Sequence, residues 1–260
     1  MSSIEAVILG LIQGLTEFLP VSSSGHLTIA KALFGIETSD LSFEIAVHAA
    51  TVLATIVVFR KQILELLQGL FKFKYNEQTK YILMICVSMI PVFVVGMFFK
   101  DYVEALFGSG LVIVAIGLFI TAILLFLSDH IGRRTDGMSY KSAFWMGVAQ
   151  ALAVMPGLSR SGSTIATGLM CGVKKEEVAQ FSFLMVLVPI LGEAFLDLVG
   201  GDAGASTTGG LQLALGFLAA FVSGLFACKF MIAVVRRASL KWFALYCCIA
   251  AVACLVINIL

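Results

Sequence analysis

Charge is what this sequence has least of. Only 13% of its 260 residues are Asp, Glu, Lys or Arg, 60% are hydrophobic, and the mean hydropathy is +1.04. A soluble domain of this size needs far more polar surface to meet water, so that class is excluded. The net charge is +1 and there is no basic stripe with interleaved aromatics, so no nucleic-acid partner is expected. The six cysteines (Cys86, Cys171, Cys228, Cys247, Cys248 and Cys254) lack metal-ligand spacing and lie almost entirely in apolar segments. They read as small buried hydrophobes, neither disulfides nor a metal centre. The basic n-region and small-residue cleavage site of a signal peptide are also missing, so the first apolar segment is expected to belong to the fold.

What the chain has in quantity is apolar length. Six runs, about 42–59, 81–99, 111–128, 179–199, 210–228 and 242–260, approach the ~20 residues that a bilayer-crossing helix requires. Two further segments are apolar but interrupted. Residues 4–19 contain Gln13, Gly14, Thr16 and Glu17, stop at Pro20, and give way to Ser22-Ser23-Ser24-Gly25-His26 before a short apolar piece ending near Ile36. Residues 141–172 contain Pro156-Gly157-Leu158-Ser159-Arg160-Ser161-Gly162-Ser163-Thr164. Short apolar pieces broken by Ser, Gly and Pro read as re-entrant helix–loop–helix segments. The predicted fold is an all-α polytopic membrane protein with six transmembrane helices and two re-entrant segments.

The two interrupted segments match each other. At an offset of 137, Gly10 pairs with Gly147, Gln13 with Gln150, Leu15 with Leu152, Ser22 with Ser159, Ser24 with Ser161 and Gly25 with Gly162. Three spans separate the copies, so the second enters the membrane from the opposite face, as in an inverted-topology repeat. The halves fall at about 1–128 and 138–260 of a single integral membrane domain. Loop charge gives the same topology. The loops at 60–80, 129–142, 172–178 and 229–241 carry 5, 3, 2 and 4 Lys or Arg; the alternate loops hold only Lys31 and Lys100, and the 200–209 loop has none. The positive-inside rule makes the first group cytoplasmic and puts both termini outside. The first re-entrant segment then opens outward and the second inward, and their loops can meet near the midplane.

Arg160 is the strongest single signal for chemistry. An arginine at bilayer depth costs about 2.5–3.5 kcal/mol on insertion scales and is rarely there without a partner. Its planar guanidinium can grip two phosphate oxygens and cannot lose its charge. A structural ion pair with Glu17 is the plainer alternative. A helix starting after the Pro-Gly break aims free N–H groups and a positive dipole end at the same place. Ser159, Ser161 and Thr164 are secondary donors. Gln13 and Glu17, four apart, share a helix face, and Glu17 is placed to hold a divalent cation or act as a base. Ser22, Ser23, Ser24 and His26 form a polar knot in which a serine beside a histidine resembles a nucleophile with its base. The plainer reading is a serine-rich loop capping the next helix. His48 reads as a packing residue, and Glu44, Glu193 and Asp197 as span-end residues facing the interface.

At these residues the chain closely resembles the undecaprenyl-diphosphate phosphatase family, the bacitracin-resistance proteins. The family's (Glu/Gln)-x-x-x-Glu motif is present as Gln13 to Glu17, and its Pro-Gly-x-Ser-Arg-Ser-x-x-Thr motif runs from Pro156 to Thr164. Phe18 to His26, Phe-Leu-Pro-Val-Ser-Ser-Ser-Gly-His, is similar to the family's as well, and the likeness covers essentially the whole chain. The resemblance implies a plasma-membrane hydrolase, opening to the extracytoplasmic side, that removes the terminal phosphate of undecaprenyl diphosphate. The product is the carrier lipid for peptidoglycan and other envelope polymers, and bacitracin resistance follows because bacitracin sequesters the diphosphate. It further implies dependence on a divalent cation, Mg²⁺ or Ca²⁺. The implied core site is Glu17, Ser23, His26 and Arg160, with Gln13, Ser22, Ser24, Ser159, Ser161 and Thr164 on the substrate and Glu17 on the metal. Gln13 in place of Glu leaves one carboxylate there instead of two. The expected mechanism is attack by Ser23, deprotonated by His26, with direct attack of water as the variant. The rival class is a carrier flipping lipid monophosphate on the same inverted-repeat scaffold. The sequence leaves a homodimer open.

Overall fold

A chain in hydrocarbon must satisfy its backbone internally, and a helix does so within one segment. The computed structural model follows this rule, with no strand among the described residues. The structure describes residues 1–36, 41–99, 102, 105, 110–131, 137–192, 208–237 and 239–259. The helices are α1 (Ser3–Phe18), α2 (Ser23–Phe34), α3 (Leu41–Leu70), α4 (Glu77–Phe98) and α5 (Gly110–Ile131). They continue with α6 (Tyr140–Leu152), α7 (Arg160–Met170), α8 (Lys175–Met185), α9 (Gly210–Arg237) and α10 (Lys241–Ile259).

Five of these, α3, α4, α5, α9 and α10, are long and apolar enough to cross a membrane. Their outward faces carry large apolar side chains such as Phe93 and Phe226, 66% and 71% exposed, as a lipid-facing surface requires. The paired helices α1–α2 and α6–α7 have 16, 12, 13 and 11 residues, and at about 1.5 Å per residue none spans a ~30 Å hydrocarbon core. They coincide with the two interrupted segments.

The expected continuous span at 179–199 is corrected. Its helix begins earlier, at Lys175, and stops at Met185; residues 187–192 are helical again after Val186. Pro189 has no N–H to offer the Met185 carbonyl and its ring crowds that carbonyl, which favours a break ahead of it. The rest of that span lies outside the described residues, with Glu193, Asp197, residues 200–207 of the 200–209 loop, Lys100, Arg133 and Arg134. The first span was underestimated: α3 continues past residue 59 to Leu70.

Close backbone approach sets the packing. α1 lies along α9 and α6 along α4. A Cβ on Gly10 would sit 2.3 Å from the Gly216 carbonyl of α9, and one on Gly147 would sit 2.2 Å from the Ser88 carbonyl of α4. α5 packs on α10, and α3 on α9.

The four basic loops lie at one end of the bundle. The Tyr75 hydroxyl meets that of Tyr140 at 3.1 Å, and the Met138 N–H donates to Glu177 at 2.9 Å. The Asp129 carboxylate accepts from the backbone N–H groups of Leu240, at 3.3 Å, and Lys241, at 3.1 Å. These contacts join residues from 60–80, 129–142, 172–178 and 229–241 in sequence.

Candidate active site

Two chain breaks build the site. Leu19, before Pro20, is extended (φ −70°, ψ 144°), as a residue preceding proline prefers. The second break turns at Gly157, whose φ of +82° and approach to α5 both call for glycine; a Cβ there would lie 2.2 Å from the Val114 carbonyl. Each break ends in a serine that caps the next helix. Ser22 Oγ accepts from the Gly25 N–H at 3.2 Å and lies 3.3 Å from Ser24 Oγ. Ser159 Oγ accepts from the Gly162 N–H at 3.1 Å and lies 3.3 Å from Ser161 Oγ. The two copies thus use one capping geometry. They differ in backbone, since Ser22 has a φ of 67°, a strained value for a residue with a side chain. The breaks touch through the Ser161 hydroxyl, which donates to the Leu19 carbonyl at 3.0 Å.

A small pocket opens beside them, lined by Glu17, Arg160, Ser161 and Thr164 among the expected residues. Glu17 Oε2 accepts from Ser23 Oγ at 2.6 Å and from Gln13 Nε2 at 2.9 Å, with His48 Nε2 at 3.9 Å. Arg160 shares the pocket and acts on Glu17 through its charge. Among the described residues, however, no direct ion pair joins them, and the guanidinium makes no hydrogen bond. A cation with uncommitted donors beside a carboxylate, at the start of α7, is suited to an anionic ligand. Thr164 Oγ1 is bonded to Ser182 Oγ at 2.6 Å.

The expected Ser23–His26 pairing is corrected. Ser23 is bonded to Glu17, and neither ring nitrogen of His26 faces it. Nδ1 meets the Ser22 carbonyl at 2.8 Å and Nε2 meets the Tyr246 hydroxyl at 2.6 Å. Residues three apart on a helix can share a face, so the reason is tertiary: Glu17 of α1 draws Ser23 back, while the Ser22 carbonyl and Tyr246 of α10 hold His26. Gln13, Ser22, Ser23, Ser24, Ser159 and His26 do not line the pocket; Gln13 and Ser23 reach it only through their hydrogen bonds to Glu17.

Several residues at the site were not anticipated. Thr51 and Thr55 of α3 and Ser182 of α8 line the pocket, and His48, read as a packing residue, faces Glu17. His48, Thr51 and Thr55 are three and four apart, a polar stripe along an apolar helix that could have been read from sequence. Ser182 and Tyr246 carry no local signal.

For a metal, the relevant atom is Gln13 Oε1, which is buried and has no hydrogen-bond partner beside Glu17. An orphan carbonyl oxygen next to a carboxylate fits a hard divalent cation. No cluster of three or more His, Cys, Asp or Glu occurs among the described residues, so protein ligands alone form no full cage.

Comparison with known proteins places this geometry in a family. A Bacteroides thetaiotaomicron protein named undecaprenyl-diphosphatase is 56% identical over 264 residues, covering 100% of both chains. One of the same name from Parabacteroides distasonis is 57% identical over 255 residues, covering 96% of each. A third, from Carboxydothermus hydrogenoformans, is 39% identical, covering 99% of this chain and 98% of its own. The family described as bacitracin resistance protein BacA matches residues 6–253, and the chain belongs to it.

Proposed function

We propose that this protein is an integral membrane phosphatase that hydrolyses undecaprenyl diphosphate to undecaprenyl phosphate and inorganic phosphate, recycling the envelope carrier lipid and so conferring bacitracin resistance. The observation that carries the reading is the Ser23–Glu17 hydrogen bond of 2.6 Å beside a pocket that holds Arg160. The prenyl tail stays in the bilayer while the diphosphate enters between the two breaks. Arg160 and the first-turn N–H groups of α7 hold phosphate oxygens and stabilise charge in the transition state. Ser23 Oγ attacks the terminal phosphorus as its proton passes to Glu17. The bond from that phosphorus to the bridging oxygen breaks, and undecaprenyl phosphate leaves. Water then cleaves the phosphoserine, one of its protons returning to Ser23 Oγ, and Glu17 releases the proton it took. Glu17 and Gln13 would hold a divalent cation, Mg²⁺ or Ca²⁺, which supplies charge neutralisation when bound.

The matched breaks, with α1 against α9 and α6 against α4, support two halves related as an inverted repeat. The shared end of the four basic loops supports a cytoplasmic placement of that end, with both termini outside and the site open outward in the plasma membrane.

Phosphate release from undecaprenyl diphosphate by purified protein in detergent, with Mg²⁺ or Ca²⁺ and with chelator, tests the reading. Cation-dependent release is expected, falling about 10²–10³-fold in a folded Arg160→Ala variant. Ser23→Ala retaining most of the rate would eliminate the covalent route in favour of direct attack by water. No release by folded wild type would move the assignment to a lipid carrier.

A further inference from the structure

Tyr246, on the last helix, lies outside both motifs and touches the polar knot of the first. Its hydroxyl stands 2.6 Å from His26 Nε2, and the two rings stack at 5.6 Å with an interplanar angle of 10°. The direction of each hydrogen bond follows from the partners. The Ser22 carbonyl can only accept, so His26 Nδ1 carries the hydrogen of that 2.8 Å bond. Nε2 of the neutral ring is then the acceptor, and the Tyr246 O–H donates to it. The next residue makes the neighbouring contact, with Cys247 Sγ donating to the Pro20 carbonyl at 3.4 Å. Two consecutive residues of α10 therefore grip the first break, 220 residues distant in sequence.

We propose that Tyr246 is a positioning residue that fixes the plane of His26, through its hydroxyl on Nε2 and its ring against the imidazole, while the Ser22 carbonyl sets the tautomer. The strained Ser22 carbonyl holds one edge of the imidazole and Tyr246 holds the other. His26 is thereby kept clear of the Ser23–Glu17 bond, with its Nε2 at a defined place beside the α2 N-terminus. This role rests on the hydrolase reading and on His26 acting in it, as the resemblance implies; the Ser23–Glu17 step itself does not use His26, which lies outside the pocket lining.

The test is Tyr246→Phe, which removes one hydroxyl and keeps the ring. The first readout is the nitrogen-15 signal of His26 in protein labelled at its three histidines and assigned with His26→Gln. The second is steady-state phosphate release. The Nε2 resonance is expected to move in Tyr246→Phe, and kcat to fall about tenfold with KM held within about twofold, because a misplaced group weakens the reacting geometry more than binding. An unchanged His26 signal, or an unchanged kcat, overturns the positioning role. If wild type itself releases no phosphate, the hydrolase reading fails and the role fails with it, an outcome distinct from a silent Tyr246→Phe.

Discussion

Most hydroxyl groups at this site are committed to partners one by one; the buried Ser163 Oγ has none among the described residues. Ser22 and Ser159 cap helices, Ser161 ties the two breaks together, and Ser23 is held by Glu17. Thr164 bonds Ser182 of α8 and the Arg160 carbonyl, at 2.6 and 2.9 Å, so it anchors the α7 turn that carries the arginine. Thr164→Val conserves shape but strands a buried Ser182 hydroxyl. It should cost about 1–3 kcal/mol of stability, read as a lower unfolding midpoint in detergent, while Thr164→Ser stays near wild type. A Val variant as stable as wild type would mean that Ser182 has another partner. At this scale the motif residues were legible because polar side chains are rare in apolar sequence. Their pairing was not, since Ser23 lies three positions from His26 in sequence yet turns to a different helix.

Helices here meet through small residues, because lipid offers no hydrophobic drive for one apolar helix to prefer another. Gly10 and Gly147, matched in the repeat, each admit a neighbouring backbone carbonyl. Gly147→Ala would press a methyl onto the Ser88 carbonyl, and backbone cannot swing aside as a side chain can. It is expected to destabilise by about 1–3 kcal/mol. Gly96→Ala, in an exposed stretch of α4 with nothing within 4 Å, should be neutral or slightly stabilising, by up to about 1 kcal/mol. Thermal unfolding of the two variants side by side checks the contrast; equal midpoints would reject it. Proline alone did not reveal the helix ends. Pro91 sits inside α4 without ending it, whereas α8 stops ahead of Pro189.

Across the whole molecule, the gathering of all four basic loops at one end makes orientation a single decision. If that end is cytoplasmic, a fusion of alkaline phosphatase to the C-terminus should be active and a green fluorescent protein fusion dark. The reverse pattern would invert the molecule and turn the first break inward. The same clustering explains why loop charge could be read from sequence. Lys and Arg avoid the bilayer core wherever they fall in the chain, so their spacing records how many times it crosses.

The sequence by itself determined the solvent, the helical class, the two broken segments and the arginine motif, because each follows from local composition or from residues a few positions apart. Serine capping was read from sequence only at the first break, as the plainer alternative; the Ser159 cap was not. The tertiary structure decided which groups meet. The carboxylate on Ser23, the threonines of α3, Ser182 and the tyrosine on His26 are brought together by helix packing across as many as 220 residues. Helical periodicity tells which residues share a face; it does not tell which other helix that face will find.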